Sequence, residues 1–274
     1  MKRSSLVIAL AILVLAVSVR AEDEAAPAAL TAEQIVEKAN HAAYYAGNSG
    51  RAKVSMTIVD AQQRKRTREF TILRKDVEDT AESQIDGEQR FYVYFRNPPD
   101  LNRMVFMVHK HPGKDDDRWL YLPDLDLVKR ISAADKRTSF AGSHFLYEDV
   151  SGRHVAADEH VLESTTDAYY ILKSTPKDPK SVEYAYGKAW IHKKSFVVVQ
   201  ASTYDAEGKE LRRYNALKVK DLQGHQTVVQ SRMTDMRDKS FTIMAYADVT
   251  YDLEMPDDVF TQRYLRKPPT KFLD

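Results

Sequence analysis

The chain has 274 residues, 41 of them Lys or Arg and 40 Asp or Glu, and it contains no cysteine. So even a charge balance gives no global electrostatic reason to bind nucleic acid. The missing thiols exclude a disulfide, a thiolate metal site and an anchor on an N-terminal lipidated cysteine.

Residues 1–21 read as a signal peptide. Met1-Lys2-Arg3 is a short positive start, Leu6 to Val19 is apolar, and Val19-Arg20-Ala21 offers a cleavage site. The apolar run is shorter than the roughly 18 residues of a membrane span. Cleavage after Ala21 removes three of the 41 basic residues, Lys2, Arg3 and Arg20, and none of the 40 acids, which leaves about −2. A soluble protein of the periplasm is expected. Residues 22–30, beginning Glu-Asp-Glu-Ala-Ala-Pro, read as a disordered spacer. Residues 31–274 are long enough to bury a sizeable core as one domain.

Thr31 and Gln34 make a capping box, and Ile35, Ala39 and Ala42 recur at helical spacing. A helix is therefore predicted from Thr31 to a stop at Ala46-Gly47-Asn48. Beyond it the period falls to two, with Val54, Met56 and Ile58 alternating against Lys53, Ser55 and Thr57. After this strand at 51–60, further strands are predicted at 68–76, 89–98, 102–111, 117–124 and 126–132, then at 168–175, 181–191, 195–205, 210–222, 226–236 and 241–253. Turn chemistry joins them, as at Asn97-Pro98-Pro99, His111-Pro112-Gly113, Ala206-Glu207-Gly208 and Gln223-Gly224-His225. Consecutive strands with short turns specify an antiparallel meander. The one long interruption, 132–158, contains "TSFAGSHFLYEDV", Thr138 to Val150.

Phe91 to Phe95, Met104 to Val108 and Phe196 to Val199 are apolar at both parities, whereas a sheet with one wet face alternates. Both faces of the middle of the sheet are therefore out of water. One packs on a core, and the other either packs too or lines an apolar hollow.

Signals for catalysis are weak. Ser143 beside His144 lacks a Gly-x-Ser-x-Gly elbow, and adjacent residues rarely orient as nucleophile and base. His109 and His111 share a strand face and precede Asp115-Asp116-Asp117, but this pattern reads first as a polar hairpin end. Glu148-Asp149 reads as a helix cap, or as an ion-pair partner of Arg137 or Arg153, before it reads as an acid–base pair. Arg64, Lys65, Arg66 and Arg68 read as a solvated hairpin tip, with docking of an acidic partner or lipid headgroup as the other reading. No catalytic residue, cofactor or metal is assigned.

Four stretches in order then carry a resemblance: "DRWLYLPDLDLVKRIS" with Trp119-Leu120-Tyr121-Leu122-Pro123, "SFAGSHFLYEDV", "YILKSTPK" and "AYADVTYDLEMPDDVFTQRYL". They resemble the outer-membrane lipoprotein-sorting protein family, more narrowly its LolA-like branch associated with RND/MmpL-type permeases. The likeness runs from the Thr31 helix to Leu265. It implies an α+β, mainly β, LolA/LolB-like fold: an incomplete antiparallel β-barrel with a helical cover over its open face. It also implies a monomeric carrier and no enzyme. The carrier would hold lipid or lipoprotein acyl chains in an apolar cavity and shuttle them between envelope membranes. Its partner would be an inner-membrane RND/MmpL-type permease or an outer-membrane acceptor.

On this reading Phe91, Val93, Phe95, Met104, Phe106, Trp119 and Tyr121 are the candidates for the cavity. Phe140, Gly142, Ser143, His144, Phe145, Tyr147, Glu148 and Asp149 form the cover. Gly142 lets the chain bend, the three rings bury at the cavity mouth, and Glu148 and Asp149 sit at a helix start, where negative charge is favoured. His144 stands where the family usually has Asp, which makes a contact there pH-sensitive. Two other readings stand beside this one. One is a periplasmic interaction subunit of a transporter with a filled core. The other is a metal-dependent hydrolase using His109, His111 and the aspartates.

Overall fold

The computed structural model of the chain describes residues 29–77 and 87–274. The expected signal peptide, and the expected spacer up to residue 28, lie outside the described residues. The predicted helix forms as α1, Ala32–Tyr44. The Thr31 hydroxyl accepts from the Gln34 amide at 3.2 Å, and the Gln34 side chain accepts from the Thr31 amide at 3.0 Å. This reciprocal cap satisfies two of the amides a helix start leaves open.

The first six strands are β1 (Ser49–Val59), β2 (Lys65–Asp76), β3 (Gln89–Asn97), β4 (Val105–Lys110), β5 (Asp117–Leu122) and β6 (Leu127–Ile131). Seven more follow: β7 (Asp158–Thr165), β8 (Tyr169–Pro176), β9 (Tyr186–His192), β10 (Val198–Tyr204), β11 (Glu210–Leu222), β12 (His225–Asp235) and β13 (Phe241–Tyr251). All join one 13-stranded sheet in the order β6-β5-β4-β3-β2-β1-β13-β12-β11-β10-β9-β8-β7, with every pairing antiparallel. The sheet is open: β6 and β7 are its two edges.

That order explains the long interruption. β6 and β7 are consecutive in the chain but lie at opposite edges, so the segment between them has to travel from one edge of the sheet to the other. β7 itself is absent from the predicted strands. As an edge strand it has a single neighbour, and Glu159, Val161 and Glu163 are exposed, so no apolar alternation marks it.

Register assigns the two faces. Ile72, Val93, Phe106 and Leu120 are cross-strand partners in a row over β2–β5, and Leu73, Tyr92, Met107 and Trp119 form the adjacent row. Partners directly opposite share a face. The first row belongs to a cluster with Met56, Phe70, Phe140 and Met244, which we term the cover face. The second row, the outer face, packs against a C-terminal segment of a short turn (Asp257–Phe260), α3 (Arg263–Arg266) and α4 (Thr270–Leu273), through Val259, Phe260, Leu265 and Leu273. Polar contacts fasten that segment: Tyr92 donates to the Tyr264 carbonyl at 2.7 Å, and Thr71 to the Leu273 carbonyl at 3.1 Å. Both faces of β3 and β4 are thus largely dry, one under the cover and one under the C-terminal segment.

Candidate functional site

A cavity of about 490 Å³ lies between the cover face, α1 and the segment that joins β6 to β7. Its volume falls within the roughly 300–1,000 Å³ of pockets that enclose small ligands. Phe70, Ile72, Phe91 and Val93 wall it from β2 and β3, and Tyr214, Met233, Met244 and Tyr246 wall it from β11–β13. α1 and the turn after it contribute Ala42, Ala43 and Ala46. Alanine side chains end at Cβ and leave space beneath the helix, while Tyr44, the last residue of α1, also lines the cavity. Protein interiors otherwise leave few voids larger than a water molecule.

The cover is tied down at several points. Phe140 is 1% exposed, and its ring centroid lies 5.7 Å from those of Phe95, Phe106 and Tyr147 and 5.9 Å from that of Phe70. Such distances are those of favourable tilted and edge-to-face pairs. Gly142 has φ +72°, and a Cβ there would meet nothing within 4 Å, so conformation and not space calls for glycine. Ser143 holds the bend, its carbonyl accepting from the Ser139 hydroxyl at 2.6 Å and its hydroxyl from the Phe145 amide at 3.1 Å. A short helix, α2 (Tyr147–Ser151), then begins, and Asp149 caps it by accepting from the Leu146 amide at 2.8 Å.

Two buried carboxylates anchor α2. Glu148 pairs with Arg137 and lies 3.7 Å from both Lys136 and Arg153. Asp116, just before β5, pairs with Arg118 and accepts from the Ser151 hydroxyl at 3.2 Å and the His154 ring at 3.0 Å. Burial pushes the Asp116 carboxyl up, but the His154 hydrogen bond and the Arg118 guanidinium outweigh it and hold the group below its ordinary range. His144 is fixed to β13 and the turn before it: its ring nitrogens lie 2.8 Å from the Thr242 hydroxyl and 2.7 Å from the Ser240 hydroxyl. Burial lowers its pKa from 6.5.

Of the predicted cavity residues, Phe91 and Val93 stand in the wall, and Phe95, Met104 and Phe106 lie deeper in the same cluster behind the Phe140 ring. Trp119 and Tyr121 are placed differently from the expectation. They pair with Met107 and Val105 and so belong to the outer face, while Leu120 and Leu122 face the cover. A strand that is apolar at both parities carries no local sign of which parity faces which way. The predicted cover residues are all in the crossing segment, and Phe140, Phe145 and Asp149 reach the cavity wall. Sequence reading missed the walls from α1 and β11–β13. Tyr214 and Tyr246 join them only because β1 pairs with β13.

The histidines read as possible metal ligands have other partners. His109 Nε2 lies 2.7 Å from the Phe260 carbonyl, and His111 sits between Glu88 and Asp117 at 3.1 Å from each. Among the described residues no group of three or more His, Asp or Glu side chains is arranged to hold a metal ion. Among them, too, no helix is long and apolar enough to cross a membrane.

Comparison with solved structures finds the same fold. A DUF1329 family protein from Desulfovibrio piger has a TM-score of 0.76 at 24% identity, over 85% of this chain and 97% of that one. A putative outer membrane lipoprotein-sorting protein domain from Vibrio parahaemolyticus gives 0.75 at 23% identity, over 86% and 98%. A LolA superfamily protein from Nitrosomonas europaea gives 0.65 at 20% identity, over 86% and 100%. No curated protein matches the sequence. A family model described as an uncharacterized protein matches residues 87–267, well over half of the chain. The chain therefore belongs to that uncharacterized-protein-like family, and it has the fold of the LolA-like, lipoprotein-sorting proteins.

Proposed function

We propose that this protein is a carrier that holds lipid or lipoprotein acyl chains in the cavity under its cover and performs no covalent chemistry. The observation that carries this reading is a largely apolar hollow of about 490 Å³ between the sheet and its cover. The fold shared with LolA-like proteins supports it. Each methylene taken from water gains about 0.8 kcal/mol, so one long chain gains roughly 10 kcal/mol before ordering costs. Binding on that scale makes passage through water feasible and makes unaided release slow.

Release therefore calls for a partner that opens the cover or competes for the chain. An inner-membrane RND/MmpL-type permease or an outer-membrane acceptor fills this role in our proposal, which rests on the sequence resemblance, and the periplasm is the compartment, which rests on the signal-peptide features of residues 1–21. Phe91 and Val93 would touch the chain, Phe140 and Phe145 would close over it, and the remaining cover residues would hold those rings in place. The test is mass spectrometry of organic extracts from protein purified gently out of its native compartment. A defined lipid or acylated peptide near one per protein is the expected result. A lipid-free protein that also takes up no fluorescent fatty acid overturns the reading in favour of an interaction subunit.

A further inference from the structure

The hollow has a second chamber. A smaller cavity of about 230 Å³ shares Asp149, Ala201, Tyr214 and Met233 with the larger one. Short side chains open it: Gly187 is the cross-strand partner of both Ser174 and Thr203, and Ala189 is that of Ala201. Here the residues that β9 and β10 raise into the chamber from this face, Gly187, Ala189, Ala201 and Thr203, are all small. The small floor does not by itself define a ligand. What sits at the junction of the chambers does.

Arg212 on β11 lines the smaller chamber. Its guanidinium donates to the Asp149 carboxylate at 2.9 Å and to the His144 carbonyl at 2.7 Å, both on the cover. Side-chain exposure is 17% for Arg212 and 28% for Asp149, so the pair is largely shielded from bulk water. One Asp149 oxygen serves two donors, Arg212 and the Leu146 amide that starts α2. The carboxylate is therefore committed to the cover's own structure. Arginine stays charged at any physiological pH and presents five donors in a planar fork suited to two-pronged capture of a carboxylate or phosphate. An acyl chain in the apolar chamber, with its head at the junction, brings that head to Arg212.

We propose that the cargo is an acyl chain bearing an anionic head, a carboxylate or phosphate, and that Arg212 selects it. This rests on the carrier reading above. Both bonds to the cover leave from one guanidinium nitrogen, and an anion on Arg212 competes with Asp149 for the same positive charge, so filling the junction weakens the hold of β11 on the cover. A neutral head of equal chain length offers no such competition.

The test uses delipidated full-length protein and displacement of an apolar fluorescent probe. Hexadecanoic acid and hexadecanol are compared at pH 8, where the carboxylate is ionised. The wild type is expected to bind the acid about tenfold or more tighter than the alcohol, as a charge-assisted bond supplies. In Arg212→Gln, whose fold is checked by circular dichroism, that ratio is expected to fall to within about twofold while alcohol binding persists. Millimolar inorganic phosphate is expected to leave both affinities unchanged.

Equal affinity of the wild type for acid and alcohol overturns the proposal whether or not the variant folds, and leaves the carrier reading standing. A preference retained in Arg212→Gln overturns it as well. Strong competition by phosphate alone overturns it in favour of a free-anion site. If neither ligand displaces the probe, the carrier reading falls and takes this one with it.

Discussion

Asp116 shows what a single side chain does under this cover. A carboxylate removed from water is costly unless charge and hydrogen bonds compensate it, and Arg118, Ser151 and His154 do so together. Replacing it with asparagine leaves the Arg118 guanidinium buried without its counter-ion. Asp116→Asn is expected to cost about 3–5 kcal/mol in urea unfolding; a change below about 1 kcal/mol would mean that the cluster does not anchor α2.

His144 sets a pH dependence of opposite origin. Burial holds its pKa below 6.5, against the pull of Asp235 and Asp238 and in the same direction as Arg212 and Arg66. The folded state thus prefers the neutral ring. Its contribution is complete above about pH 6.5 and is lost as the pH falls from there toward the lowered folded value. Thermal unfolding at pH 7.5 and 5.5 is expected to show a larger loss for the wild type than for His144→Gln. Equal losses would remove His144 from the account.

At the scale of elements, the crossing segment combines two jobs. Phe140 is a plug: four rings surround it, and Phe140→Ala is expected to cost about 3–5 kcal/mol in chemical denaturation. Both rings reach the cavity wall, but Phe145 is the more exposed, at 7% against 1%, and stands outside that ring cluster. Phe145→Ala is expected to cost less than Phe140→Ala and to alter lipid uptake by protein that stays folded. The opposite ranking would make Phe145 the plug. That Thr138 to Val150 suits neither a strand nor a surface loop was legible in its broken pattern, and the family resemblance made it a cover. Its contacts were not legible, since the partners of Phe140 come from β2, β3 and β4 and those of His144 from the β12–β13 hairpin.

For the whole molecule, the C-terminal segment is what lets β3 and β4 be apolar on both faces. Its helices are too short to be stable alone and gain their order from Tyr92, Val105, Met107 and Trp119 beneath them. Deleting residues 254–274 uncovers that row. The truncated protein is expected to aggregate on gel filtration and the full chain to elute as a single species; a monodisperse, folded truncation would show that the outer face does not need this covering.

The sequence by itself determined the local features: the capped helix at Thr31, twelve of the strands and their turns, and the dryness of both faces at β3 and β4. These follow from capping, periodicity and turn chemistry, which act over a few residues. The tertiary structure alone decided that β1 pairs with β13, that β7 closes the far edge as a polar strand, and that Trp119 and Tyr121 turn away from the cover. It also decided that α1 and β11–β13 leave a hollow between them. Strand order and register depend on partners far apart in the chain, and a strand apolar at both parities carries no local record of the face it will present.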